Sequence, residues 1–235
     1  MYQKQKLHLA FLFALVAFMG LTLSGAFSHS SNQAKATPVE AFVGRSNAPV
    51  TLIEYGSLTC HHCAVFQSAV YPTIKTRYID TGKVRYIFRP LPTPPASLSV
   101  GLQVIADCAP GPQRYAIIDA FFAGQPQLMT AAGQEGGALN LALSIASSAG
   151  RLDGATARQC IADQSRAQAV FDVAQAGTTQ FQLDHTPTLI INGQKFEVPG
   201  TGEYTVANLS AALDAAYRMA GAPVAAPKKT RQKKK

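Results

Sequence analysis

The sequence predicts an α/β fold in which a β/α domain is interrupted by a helical block and then resumes. Three observations carry this reading. A β-rich apolar run, Val50 to Tyr55, a helical stripe (Phe66, Val70, Ile74, Tyr78) and a second β-rich run, Val84 to Phe88, follow one another with the spacing of a βαβ unit. From Ala96 to about Gln180 the chain is Ala-rich and helical in character, with no convincing strand. Strand character then returns at "TPTLIING", residues 186–193.

Taken in order, residues 1–26 read as an export leader. Lys4 and Lys6 precede an apolar run, Leu9 to Leu23, and Ser24 and Ala26 are spaced for cleavage after Ala26. A retained membrane anchor is the alternative, because apolar character extends loosely from Leu7 to Phe27. Residues 27–46 form a polar linker with one short strand around Val39 to Val43. Pro49 and Gly56 bound the first main strand. The helix after it is expected to run about four turns, to the "TG" at 81–82. Pro90, Pro92, Pro94 and Pro95 end the second strand. Helices are expected over 96–108, 114–123, 138–149 and 154–176, the last capped by Asp153. Leu189 to Ile191 form a strand closed by an Asn-Gly turn, with "QKFEVPG" as its hairpin partner. A last amphipathic helix covers Val206 to Met219, before a basic tail.

The formal charge of +8 suggests a nucleic-acid partner until the charges are located. Lys4, Lys6, Lys228, Lys229, Arg231, Lys233, Lys234 and Lys235 lie at the two ends; removing those 8 from 21 basic residues leaves 13 against 13 acids. The body is therefore formally neutral, and no nucleic-acid partner is expected. The tail "KKTRQKKK" is expected to be disordered, with weak contact to an anionic membrane as a further option. Either fate of the leader places the body outside the cytoplasm, since the positive charge stays inside.

The chemistry is concentrated at Cys60-His61-His62-Cys63. A haem anchor needs histidine directly after the second cysteine, and Ala64 stands there. A structural zinc site wants a second ligand pair at similar spacing, and Cys108 and Cys160 are isolated from each other in sequence. A redox pair needs two thiols one helical turn apart, the first at a helix N-terminus. Unpaired N–H groups and the positive end of the dipole then stabilise a thiolate at Cys60. His62, protonated or donating a hydrogen bond, is expected to lower that pKa further. Cys108 and Cys160 are left for each other in an oxidising compartment, where a bridge would add about 4 kcal/mol; buried free thiols are the alternative.

With Glu54 six residues before Cys60, a helical block, and Thr186-Pro187 before a downstream strand, the chain from about 39 to 220 resembles the thioredoxin superfamily, and within it the DsbA-like exported thiol–disulfide oxidoreductases. The resemblance implies a thioredoxin fold interrupted by an all-helical insertion domain: first part 47–95, insertion 96–182, second part 183–220, tail 221–235. It implies that Cys60 is the exposed nucleophile, Cys63 its buried partner, and Glu54 a buried acid assisting proton transfer; an ordinary strand-edge carboxylate is the other reading of Glu54. It makes Pro187 a cis-proline facing the cysteines and leaves the Thr186 backbone free to pair with an extended client, with His61 facing outward beside them. The chain departs from DsbA in carrying His61 where DsbA has proline, and it has no tryptophan ahead of the motif.

The expected activity is dithiol oxidation of exported, reduced client proteins in the periplasm. The redox-active disulfide itself is expected to serve in place of a cofactor, and the resemblance implies a quinone-linked membrane partner that reoxidises the pair. The alternatives are a dedicated periplasmic reductase and a copper or zinc carrier using the same sulfurs. No resident metal is expected, although His61, His62 and His185 could gather near the cysteines and let Cys60, Cys63 and His185 hold a soft metal.

Overall fold

The computed structural model of the chain describes residues 40–198 and 202–221. The leader (1–26), most of the linker with Val39, Pro199 to Thr201, and the basic tail beyond Gly221 lie outside the described residues.

β1 (Val50–Gly56) is the central strand. β2 (Val84–Pro90) runs parallel to it, from Val50 opposite Val84 to Gly56 opposite Pro90. β3 (Thr188–Ile191) lies antiparallel on its other side, with Glu54 opposite Leu189, and β4 (Gln194–Lys195) closes a hairpin onto β3. The order is β2-β1-β3-β4. Strands covered on both faces read as continuous apolar runs, which is why "VTLIEYG" alternates so little. Leu52, Tyr86 and Phe88 face the main core under the helices; Ile53, Tyr55, Ile87 and Ile190 face a smaller one with Leu183. Asn192 and Gly193 turn the hairpin with φ of 48° and 80°, the left-handed pair that a two-residue turn demands.

The helices are α1 (His61–Ala69), α2 (Tyr71–Ile74), α3 (Ala96–Asp107), α4 (Gly111–Ala123), α5 (Gln125–Ala131), α6 (Gly137–Gly150), α7 (Gly154–Ala162), α8 (Gln164–Phe181) and α9 (Val206–Met219). A thioredoxin fold with a helical insertion between β2 and β3 is the result. The insertion is stitched to the sheet at Phe88. Its N–H donates to the Tyr115 hydroxyl at 3.1 Å, and its carbonyl accepts from Arg114 at 3.1 Å. The same tyrosine donates to the Ala41 carbonyl. Side chains of α4 thereby satisfy the Phe88 main-chain groups on the outer edge of β2, next to the Tyr86 groups that pair with Val43.

Several elements differ from expectation. The four-turn helix after the cysteines is broken into α1, α2 and a π-helical turn, Lys75–Ile79. Pro72, which has no N–H and crowds the preceding turn, accounts for the break. The helix expected over 154–176 is two helices, because Asp163 is extended (φ −80°, ψ 98°) and caps α8 through the Ser165 N–H. α5 was not expected. The short strand around Val39 to Val43 reduces, in its described part, to one antiparallel bridge between Val43 and Tyr86. From "QKFEVPG" only Gln194 and Lys195 pair as a strand, though the Phe196 N–H still reaches the Leu189 carbonyl.

Candidate active site

β1 ends at Gly56, and the chain crosses Ser57 to Thr59 before α1 begins. Cys60 is the N-cap of α1, with extended backbone (φ −82°, ψ 120°), and its sulfur accepts the Cys63 N–H at 3.2 Å. This is the place where a helix leaves N–H groups without internal partners, so a negative sulfur is solvated by backbone. Sγ of Cys60 also lies 3.5 Å from the Thr186 carbonyl. Cys63, one turn on, is fully buried, and its sulfur accepts the Ser57 N–H at 3.5 Å. Both thiols are free.

The two sulfurs are electrostatically unlike. Cys60 is lowered to about 5, first by the hydrogen bond with the Cys63 side chain and further by the Thr186 side chain and the backbone N–H groups of Cys63 and His62, all against a cost of burial. The Cys63 thiol is pushed up by burial, then by the bond to Cys60 and the nearby Glu54. At neutral pH the pair therefore holds one charge, on the accessible sulfur.

Glu54 is wholly buried beneath this pair, facing the main core. Its Oε2 accepts from the Tyr86 hydroxyl at 2.7 Å and from Gln67 Nε2 at 2.8 Å. Oε1 has no partner among the described residues. Burial lifts its carboxyl to about 8, although both hydrogen bonds act to lower it. A carboxyl in this state can give or take a proton near neutral pH. Gly56 makes the arrangement possible, since a Cβ there would stand 2.9 Å from Oε1 and 2.8 Å from the Phe88 ring.

On the facing side, the Thr186–Pro187 peptide bond is cis, and Pro187 is buried against the sheet. His61 and His62 are exposed at the mouth of the motif. The main-chain N–H of His62 reaches Cys60 and lowers it, while its ring is exposed on the first turn. His185 does not complete a metal site: Nδ1 lies 2.7 Å from Asp184 Oδ1. Among the described residues no three His, Cys, Asp or Glu side chains are placed to hold one ion. Cys108 and Cys160 are bonded to each other within the helical insertion, far in sequence from the motif.

Four contributors were missed from sequence. Gln67 stands four residues after Cys63, on the same helix face, and Tyr86 alternates with Phe88 on the Glu54 face of the sheet; both were legible from spacing. Gln125, nearly fully buried, donates to the carbonyls of Leu58 and Cys60 at 2.9 and 3.0 Å and holds the motif loop from the insertion. Nothing local marks it. Ser57 belongs to a buried hydroxyl group whose members are scattered along the chain.

The family model described as Thioredoxin matches residues 36–215. A Rickettsia bellii protein named "Putative protein-disulfide oxidoreductase" is 24% identical over 177 residues, 74% of this chain and 63% of that one, so this chain spans less than two thirds of that relative. "Disulfide bond formation protein D" of Bacillus subtilis is 41% identical over 54 residues, 23% of each chain. The crystal structure of Wolbachia pipientis alpha-DsbA1 superposes with a TM-score of 0.66 at 24% identity, over 78% of this chain and 94% of that one. With its sheet order, its helical insertion and its Cys60–Cys63 motif at a helix N-terminus, the chain belongs to the thioredoxin family and has the fold of a DsbA protein.

Proposed function

We propose that this chain is an extracytoplasmic protein thiol–disulfide oxidoreductase that works as a dithiol oxidase. The observation that carries the reading is the asymmetry of the sulfurs: Cys60 half-buried and stable as an anion, Cys63 buried and held as a thiol. A stabilised Cys60 thiolate favours the reduced form, and a disulfide whose reduced form is favoured is readily given away. A client thiolate attacks Cys60 Sγ, a new sulfur–sulfur bond forms, and the Cys60–Cys63 bond breaks with its electron pair left on Cys63. Glu54, near its own pKa, supplies the proton that Cys63 then takes. A second client thiolate attacks the client sulfur and releases Cys60 as the thiolate. Thr186, next to the cis-proline Pro187, and the exposed His61 form the edge along which an extended client would lie.

The reading places the protein outside the cytoplasm. It rests there on the leader-like residues 1–26 and on the Cys108–Cys160 bond, a pairing suited to an oxidising compartment. Reduced exported proteins are the clients, and a membrane partner restores the disulfide. Equilibration of the purified chain with glutathione tests the direction: the Cys60–Cys63 couple is expected to be more oxidising than the glutathione couple. A strongly reducing couple would overturn the oxidase in favour of a reductase. Stoichiometric copper or zinc without thiol exchange would overturn both.

A further inference from the structure

Four hydroxyls, those of buried Ser57, Thr59 and Ser99 and of half-buried Thr93, form a cluster beside the two cysteines and take no part in the exchange described above. Ser57 Oγ lies 3.0 Å from Thr59 Oγ1, 2.8 Å from Ser99 Oγ and 2.9 Å from Thr93 Oγ1. It also receives the N–H groups of Thr59 and Thr93, each at 3.3 Å. Thr59 Oγ1 in turn is 3.0 Å from Thr93 Oγ1 and 3.1 Å from the Thr93 carbonyl. One hydroxyl carries a single proton and two lone pairs, so Ser57 has more partners than it can bind at once. Held by partners from three segments at once, the Ser57 side chain resists rotation, because turning it breaks several of these contacts together.

The cluster joins three segments: the loop between β1 and α1, the loop after β2, and the first turn of α3. Its centre, Ser57, has both main-chain groups committed to the motif. The N–H donates to Cys63 Sγ, and the carbonyl accepts the Cys60 N–H at 3.1 Å. Fixing the Ser57 side chain therefore fixes the direction of the one donor, among the described residues, aimed at the buried sulfur from outside α1.

We propose that Ser57, Thr59, Thr93 and Ser99 are positioning residues that hold the Ser57 N–H on Cys63 and so speed the departure of that sulfur. The inference rests on the exchange reading above. When a client thiolate attacks Cys60, the electron pair of the broken bond accumulates on Cys63, inside the protein and away from water. A preset N–H donor stabilises that charge as it forms and needs no reorganisation. Once the cluster loses a member, the loop is free to turn the donor aside.

The test compares the reduction rate of the Cys60–Cys63 disulfide by a small thiol in the full chain and in variants of Thr93 and Ser57. Thr93→Val keeps the shape and loses the hydroxyl, whereas Thr93→Ser keeps the hydroxyl. Reduction of Thr93→Val and Ser57→Ala is expected to be about tenfold slower, the weight of one hydrogen bond to a charged group. Thr93→Ser is expected to react at the rate of the unsubstituted chain, and the Cys60 titration is expected to stay in place in all three. Equal rates for Thr93→Val and Thr93→Ser, with the unsubstituted chain exchanging normally, would overturn the cluster's role and leave the exchange reading intact. Slowing accompanied by a matching shift of the Cys60 titration would also overturn it, by placing the effect on the other sulfur. If the unsubstituted chain exchanged with no thiol, both readings would fall.

Discussion

Glu54 occupies a site that would suit leucine. It is fully buried, its Oε2 holds two donors, its Oε1 holds none among the described residues, and its carboxyl sits at about 8 against an ordinary 4.5. A carboxyl raised by burial favours the folded state below 4.5 and costs stability increasingly as pH rises towards 8. Replacing it by Gln keeps an oxygen for Tyr86 and Gln67 while removing the charge. Glu54→Gln is therefore expected to raise stability at pH 7 by about 3 kcal/mol, with the gain vanishing near pH 4. Exchange is expected to slow by at least about tenfold and to lose its pH dependence near 8, since Gln cannot pass a proton to Cys63. Thermal unfolding across this pH range and a pH–rate profile check the two halves. A gain over the parent no larger at pH 7 than at pH 4 would contradict the buried-acid account. Glu54 was legible as a misplaced charge in an apolar strand; spacing puts Tyr86 on its face of the sheet and Gln67 on the face of Cys63, but that both bond to one of its oxygens was not legible, because they come from a different strand and a helix.

At the scale of elements, α8 packs across the smaller face of the sheet through a glycine. A Cβ on Gly177 would overlap the Tyr55 ring. Tyr55 cannot readily swing aside: it is buried, its hydroxyl accepts from Arg89 at 2.8 Å, and its ring meets Phe181 at 5.9 Å. Alanine gains about 1 kcal/mol over glycine in a helix interior, whereas overpacking a close contact costs about 1–3. Gly177→Ala is expected to destabilise by about 1 kcal/mol net in denaturant unfolding; a variant equal to or more stable than the parent would show that the helix simply moves out. The contact also explains what sequence reading could and could not reach. β1, β2 and β3 were legible because each is a short apolar run bounded by Gly, Pro or an Asn-Gly turn. The break at Asp163 was not, since Ala-rich sequence favours helix on both sides and a single extended residue decides it. Pro72 was a visible warning, outweighed by the four-residue apolar stripe that runs through it.

At the scale of the molecule, the helical insertion is tied to the sheet by Phe88, Tyr115 and Arg114, to the motif loop by Gln125, and to itself by the Cys108–Cys160 bond. The bond closes a separation of 52 residues, and on the chain-entropy model it stabilises by about 4 kcal/mol. Serine at both positions is expected to lower the unfolding free energy by about that amount while leaving exchange at Cys60 in place; unchanged thermal stability would remove its structural role. An even cysteine count made this pairing readable, but the long-range ties could not be read, since each joins residues whose proximity only the folded chain creates. The catalytic account rests in the end on one charge. Cys60 lies at about 5 against an ordinary 9.0, so the reduced chain gains stability as pH rises from 5 to 9 and loses it as pH falls through the same range. The most direct measurement is titration of the reduced chain by ultraviolet thiolate absorbance, with Cys60→Ser as the blank. A single thiolate appearing with a midpoint about 5 is the expected result, and a midpoint near 9.0 would contradict the account.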